Sequence, residues 1–197
     1  MGTGHDDRLA RELSAMAAED RRVREELARD GTLFDGYHPR MEEVHDRNAA
    51  RLTEILDAYG WPGRSLVGER AAQDAWMILQ HAIGHPELQR RGLELLRRAP
   101  AGDVSPIEIA MLDDRIRAFE GRGQLYGTQL DWDDAGQLSP LPLEDGENVD
   151  RRRASIGLPP LAEYLQQHRA ETAPRNLEQR RRERDAWLER VGWRTRP

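Results

Sequence analysis

The chain has no cysteine and no lysine in 197 residues. The first absence excludes disulfides, thiolate nucleophiles and cysteine-ligated zinc or iron–sulfur sites. The second makes all 30 basic residues arginine, for which a GC-rich coding sequence is the plain account. No apolar run approaches the ~20 residues needed to cross a bilayer. The opening stretch, MGTGHDDRLARELS, has no apolar core of a secretory signal. The expectation is therefore a cytoplasmic protein with no membrane partner. GxGxxG, GxxxxGK[ST] and GxSxG are missing too, so dinucleotide, P-loop and α/β-hydrolase readings have no support. There is no internal repeat.

What is present suits charged helices around a modest core: 38% of residues are hydrophobic and 34% charged. The length fits one domain and can bury a core without staples. The formal charge is −6, unevenly spread. Residues 148–197 carry 12 Arg against 7 acids, which leaves −11 for the rest. Residues 131–147 hold six acids and no base. Such asymmetry fits intramolecular complementarity better than a nucleic-acid tail. The arginine triplets at 151–153 and 180–182 read the same way, as solvated helix faces or docks for the acidic segment, because aromatic interleaving is sparse.

Apolar periodicity predicts a mainly α fold: an irregular helical bundle with one short β-hairpin or extended segment near 124–143. The helices expected are 6–29, 39–59, 69–82, 86–98, 106–119, a short one over 147–157, 159–173 and 175–191. The whole chain reads as a single helical domain with its core in 39–170 and the first and last helices packed on it. Asp6 and Asp7 suit the start of the first helix and Gly31 its end. Pro39 and Pro106 suit first turns, with Asp103 or Ser105 as a cap for the latter. Phe34 and Tyr37 are expected anchors of the loop after the first helix. Asn48 falls on an apolar stripe and reads as a hydrogen-bonded core group.

Chemistry concentrates between Trp61 and Gln129. At about 100° per residue, Arg70, Asp74, Met77, His81 and His85 gather along one edge of the 69–82 helix, at the border of core and surface. Asp74 and His81 lie two turns apart, roughly 10 Å along the axis, so they can line one groove without touching. His81 and His85 have a metal-ligand spacing. However, His85 sits where the helix ends and Ala82 stands where HExxH has Glu, so no metal and no cofactor are expected. His81 reads instead as a general base or acid, set against a structural histidine at the core edge. Asp113 and Glu120, on one flank of the 106–119 helix, are the carboxylates that would tune it, while Asp114 points to water. Trp61 reads as a plug on the bundle or as a stacking surface. Gly127 lets backbone come close to a ligand or another helix.

The blocks GWP, AWMILQHA with Gln89 following, LDDRI, EGRGQLYGTQ and ENVDRRRASIGLPPLAEYL resemble a bacterial family of unknown function. The resemblance covers about residues 60–165. It implies a predominantly helical bacterial protein with no established activity. The family pattern carries Asp after QHA, whereas Ile83-Gly84-His85 occupies that turn here. The resemblance also groups the polar blocks into one hydrogen-bonding site. In that site His81, Asp113 and Glu120 are the catalytic candidates. Trp61, Asp74, Gln80, Arg115, Gln124, Tyr126, Thr128 and Gln129 are the substrate-binding ones.

Taken together, the sequence leads to an expectation of a metal-independent enzyme doing hydrolase- or lyase-like acid–base chemistry on a polar small molecule. The alternative is a non-catalytic interaction or immunity-type domain that meets a protein partner. Nucleic acid is not an expected partner.

Overall fold

Caps and breakers in the chain set most of the element boundaries. In a computed structural model of the protein, residues 5–33, 36–168 and 176–195 are described. The chain divides into two compact units, Met1–Ser105 and Pro106–Pro197.

The first unit holds α1 (Asp7–Asp30), α2 (Pro39–Tyr59), the single turn α3 (Arg64–Val67), α4 (Glu69–His81) and α5 (Pro86–Arg98). Asp6 caps α1 by accepting from the Leu9 amide at 2.9 Å, and Gly31 ends it in the left-handed region at φ 81°. Pro39 and Pro86 open their helices, where a missing N–H costs nothing. The turn α3 lies within a stretch expected to be a loop. It forms because Asp103 accepts from the Ser65 amide and hydroxyl. Asp103 is therefore committed there, not to a cap for the helix that follows.

Helix α1 packs along α4, and α2 packs on both. Leu9, Leu13, Ala17, Val23 and Leu27 of α1 are buried, as are Met41, Val44, Leu52 and Ile55 of α2 and Ala75, Ile78 and Leu79 of α4. Val23, Leu27, Met41 and Val44 form a cluster that Leu33 and Tyr37 cover, so Tyr37 is the anchor expected of it. Phe34 lies outside the described residues. Asn48 donates to the Met16 carbonyl at 3.4 Å, in keeping with a core polar group. Helix α5 follows α4 closely because Gly92 has no side chain: a Cβ there would meet the Leu79 methyls at 2.5 and 2.7 Å.

The second unit holds α6 (Pro106–Phe119), strands β1 (Leu130–Trp132) and β2 (Leu138–Pro140), α7 (Val149–Ser155), α8 (Leu161–His168) and α9 (Leu177–Arg190). The mainly α fold with one antiparallel hairpin is as the periodicity predicts; Leu130 pairs Pro140 and Trp132 pairs Leu138. Asp133 closes the hairpin by accepting from the amides of Ala135 and Gln137 and from the Ser139 hydroxyl. Asn148 stands at the N-cap position of α7 without capping it, and its side chain donates to the Asp145 carboxylate. The rings of Trp187 and Trp193 meet Phe119 in T-shaped contacts, and Arg194 ties the last carbonyls of α6, Ala118 and Phe119. The expected continuation of α8 to residue 173 and the break at Pro174 lie outside the described residues. Among the described residues, no helix is long and apolar enough to cross a membrane.

The contact at Gly92 gives a test of packing against propensity. Alanine is the better helix former by about 1 kcal/mol, yet Gly92→Ala forces Leu79 to move within a filled core. A net loss of roughly 1–2 kcal/mol is expected in urea unfolding. In a Leu79→Ala background the same change should cost clearly less. An unchanged or raised midpoint for Gly92→Ala alone would show that the two helices do not depend on this contact.

Candidate functional site

Three helices of the first unit each bring one ionisable side chain to the same place. Asp20 of α1 is fully buried, His45 of α2 is 6% exposed, and the His81 side chain of α4 is 25% exposed. His81 Nδ1 lies 3.0 and 2.9 Å from the two Asp20 oxygens. His45 Nε2 lies 3.2 Å from Asp20 Oδ2, but not in line for a hydrogen bond. The two rings are tilted at 5.2 Å. On its other side, His45 Nδ1 pairs with the Tyr37 hydroxyl at 2.7 Å.

The residues sit here because of helix periodicity. Asp20 follows Leu13 by seven and precedes Val23 by three, so it shares the buried stripe of α1. His45 follows Met41 by four and precedes Asn48 by three on the stripe of α2. His81 ends α4 on the edge that faces α1. Burial pushes the Asp20 carboxyl up, but the two imidazoles beside it outweigh that and hold it well below the usual carboxylate range. Burial likewise pushes the Tyr37 phenol above its ordinary range, with the carboxylates of Asp46, Glu42 and Asp20 adding to the effect.

Helix α1 covers the polar edge of α4. Asp74 accepts from Ser14 at 2.8 Å and from Arg21 at 2.9 Å, and the same guanidinium reaches Met77. Asp74 and His81 therefore bind one neighbouring helix at different turns. His85 turns away to Asp46 at 2.8 Å, so the His81/His85 spacing does not bring those two rings to a shared partner. Gln80 is buried. Gln89 caps the end of α4 by donating to the carbonyls of Leu79 and Gln80. Trp61 is half-buried in a turn that its own carbonyl closes with the Gly63 amide at 2.9 Å.

The other site candidates belong to the second unit. Asp114, expected to face water, is fully buried and organises the loop after α6. It accepts from the amides of Leu125, Tyr126 and Thr128 and from the Thr128 hydroxyl, at 2.7–3.2 Å. Its direction is misread because the apolar stripe of α6 is broad, with Asp113 and Asp114 both inside it. Gln124 donates to the carbonyls of Gln129 and Leu141 and accepts from the Gln129 amide. Gln129 in turn accepts from Arg115 at 3.2 Å. Asp113 pairs with Arg117, and Glu120 with Arg122. Gly127, at φ 67°, lies against Leu143 and Leu161, so the close approach it permits is to α8 and the segment before α7.

The acidic segment is met by arginines of the same unit. Arg181 pairs with Asp134, Arg184 with Asp131, and Arg152 with Asp145. Arg153 is fully buried, donates to the carbonyls of Tyr126 and Pro159 at 2.6 Å, and lies 5.0 Å from the centre of the Tyr164 ring.

Asp20 and His45 are absent from the residues singled out by motif. Their signal is a charged or polar residue recurring at the position where the helical stripe demands an apolar one, the same signal that Asn48 gives.

Two substitutions separate buried from exposed pairs. Asp20→Ala leaves two imidazoles facing an emptied buried position and should cost about 3–5 kcal/mol in chemical unfolding. His85→Ala removes a solvent-exposed pair and should leave the midpoint nearly unchanged. Equal effects would mean that the trio contributes no more than a surface contact. In the second unit, Asp114→Asn turns an amide group toward the loop donors. It should speed hydrogen exchange at Leu125, Tyr126 and Thr128, with a loss of about 1–3 kcal/mol. Unaltered exchange there would remove Asp114 from its place at the centre of the loop.

No curated protein and no solved structure matches this chain. Residues 7–172 match the family of unknown function DUF6624, and the chain belongs to that family.

Proposed function

We propose that the protein is an enzyme of hydrolase- or lyase-like acid–base chemistry on a polar small molecule, working at Asp20, His45 and His81. One observation carries this reading: a fully buried carboxylate has two imidazoles against it, one of them hydrogen-bonded to it and partly exposed to solvent. Burying a charge and two rings of this kind is costly, and a bundle that needed only packing is served by apolar residues at the same stripe positions. Clusters of this type are where proton-handling chemistry is assembled. The proton is handled either by an imidazole or by a water that the trio holds, and His81 is the side from which a substrate would arrive. The proposal rests on the first unit alone. A bacterial, cytoplasmic setting is part of it, in keeping with the cysteine-free, arginine-only composition.

A second reading, a non-catalytic interaction domain, draws on a different observation. Gln89, Gln124, Thr128 and Gln129 brace neighbouring backbone or one another, as residues of a scaffold do. On that reading the polar blocks hold a surface in shape for a protein partner.

The two readings separate in an NMR titration of the labelled full chain with a fractionated pool of polar metabolites. The enzyme reading expects a fraction that shifts the backbone amides of Asp20, His45 and His81, and expects His81→Ala to abolish that response. A pool that leaves those three amides unmoved overturns it and favours the interaction domain.

A further inference from the structure

The trio has the composition and spacing of a cation site. One carboxylate oxygen of Asp20, one nitrogen of His45 and one of His81 lie within 4.8 Å of one another. His81 Nδ1 and His45 Nε2 stand 2.9 and 3.2 Å from Asp20 Oδ2. Neighbouring ligands around an octahedral first-row ion with bonds of about 2.1 Å are about 3.0 Å apart. The fit is therefore close on both edges that include the carboxylate.

His45 supplies the independent observation. Its Nε2 is buried and makes no hydrogen bond, although a carboxylate oxygen is 3.2 Å away. The nitrogen is not pointing an N–H at that oxygen. Its opposite nitrogen, Nδ1, is held by the Tyr37 hydroxyl. When Nδ1 keeps the proton for Tyr37, Nε2 turns a lone pair toward the trio. A lone pair and an ionised carboxylate at that separation repel each other unless they share a cation. A hydrogen-bonded partner on the far nitrogen is also how ligating histidines are commonly oriented.

We infer that Asp20, His45 and His81 form a site for one divalent first-row transition-metal ion, of the kind that imidazole and carboxylate hold together, such as zinc, iron or manganese. This inference rests on the proposed working centre and names what works there. The expectation of no metal considered His81 with His85, and His85 belongs to another contact. Among the described residues three protein ligands from three helices are present, fewer than the coordination number of such an ion. Zinc so held would lower the pKa of a bound water toward about 7. That water supplies the acid–base group of the proposed chemistry, with the imidazoles serving as ligands.

The test uses the full chain after treatment with a chelator, titrated with zinc and with cobalt(II), the latter followed by its visible absorption. One ion per chain is expected. Tyr37→Phe keeps the ring and its packing but removes the partner of His45 Nδ1, and should weaken binding about 10- to 100-fold. His45→Ala and His81→Ala should abolish stoichiometric binding, whereas His85→Ala should bind as the unaltered chain does. A chain that takes up no ion overturns the inference. So does Tyr37→Phe binding with unaltered affinity, or a site lost in His85→Ala and kept in His81→Ala. Because the cobalt spectrum of the unaltered chain needs no substitution and Tyr37→Phe removes only one hydroxyl, the inference stays testable even where the alanine variants fail to fold. Repeating the metabolite titration on the chelator-treated chain separates the two proposals. Shifts at Asp20, His45 and His81 without ion binding keep the centre and reject the metal. Ion binding without any active fraction keeps the metal and rejects the polar substrate.

Discussion

The first unit depends on a single ionised carboxylate placed where a leucine would be expected. Asp20 lies in the stripe by which α1 meets its neighbours; both its oxygens meet the His81 ring of α4, and the His45 ring of α2 stands 3.2 Å from one of them. Helices can slide or rotate past one another when only apolar surface joins them, since burial has little directional preference. A charge hydrogen-bonded to a ring of another element has a direction. It pins α1 against α4 at one point, and the Asp74 pair with Ser14 and Arg21 pins the same two helices again further along α4. Apolar packing then supplies most of the free energy, and the polar trio selects one arrangement among those that packing allows.

The second unit uses the same device with a different geometry. Asp114 is a buried carboxylate too, but its partners are amides of one short segment of its own chain. Burial raises its pKa, and the donors of Thr128, Leu125 and Tyr126 act against that. A carboxylate with several backbone donors acts as a template for a loop, because it fixes where each N–H must point. Asp20 has no such donors among the contacts described, only the imidazole side chains of two other helices.

Helix boundaries are legible because they are written in residues with local effects. Pro39, Pro106, Gly31 and Asp6 act within a turn of themselves, so their consequences need no knowledge of the fold. The β-hairpin is legible for the same reason, through the DDAG turn between two short apolar arms. The directions of side chains within a stripe are less so. Asp113 and Asp114 are adjacent and both buried, which a narrow stripe on α6 does not allow. The site is legible only at His81, since its partners lie 61 and 36 residues earlier and become neighbours through packing alone. Motif blocks direct attention to YGTQ and QHA, where hydrogen-bonding residues are dense. Density of that kind also marks a well-braced loop, which is what Gln124 and Thr128 are part of.

The lack of lysine has a structural counterpart in the second unit. Arg152 donates to the carbonyls of Leu125, Glu144 and Asp145 at once, Arg153 to those of Tyr126 and Pro159, and Arg194 to those of Ala118 and Phe119. Each binds carbonyls that lie well apart in the chain or at the end of a helix. A planar fork with five donors can span such a set in one rigid plane, whereas an ammonium presents three donors around a point. In this unit arginine therefore works as a connector between backbone segments, standing where a longer chain would add a strand or a disulfide. The cationic count of the protein is in part a count of joints.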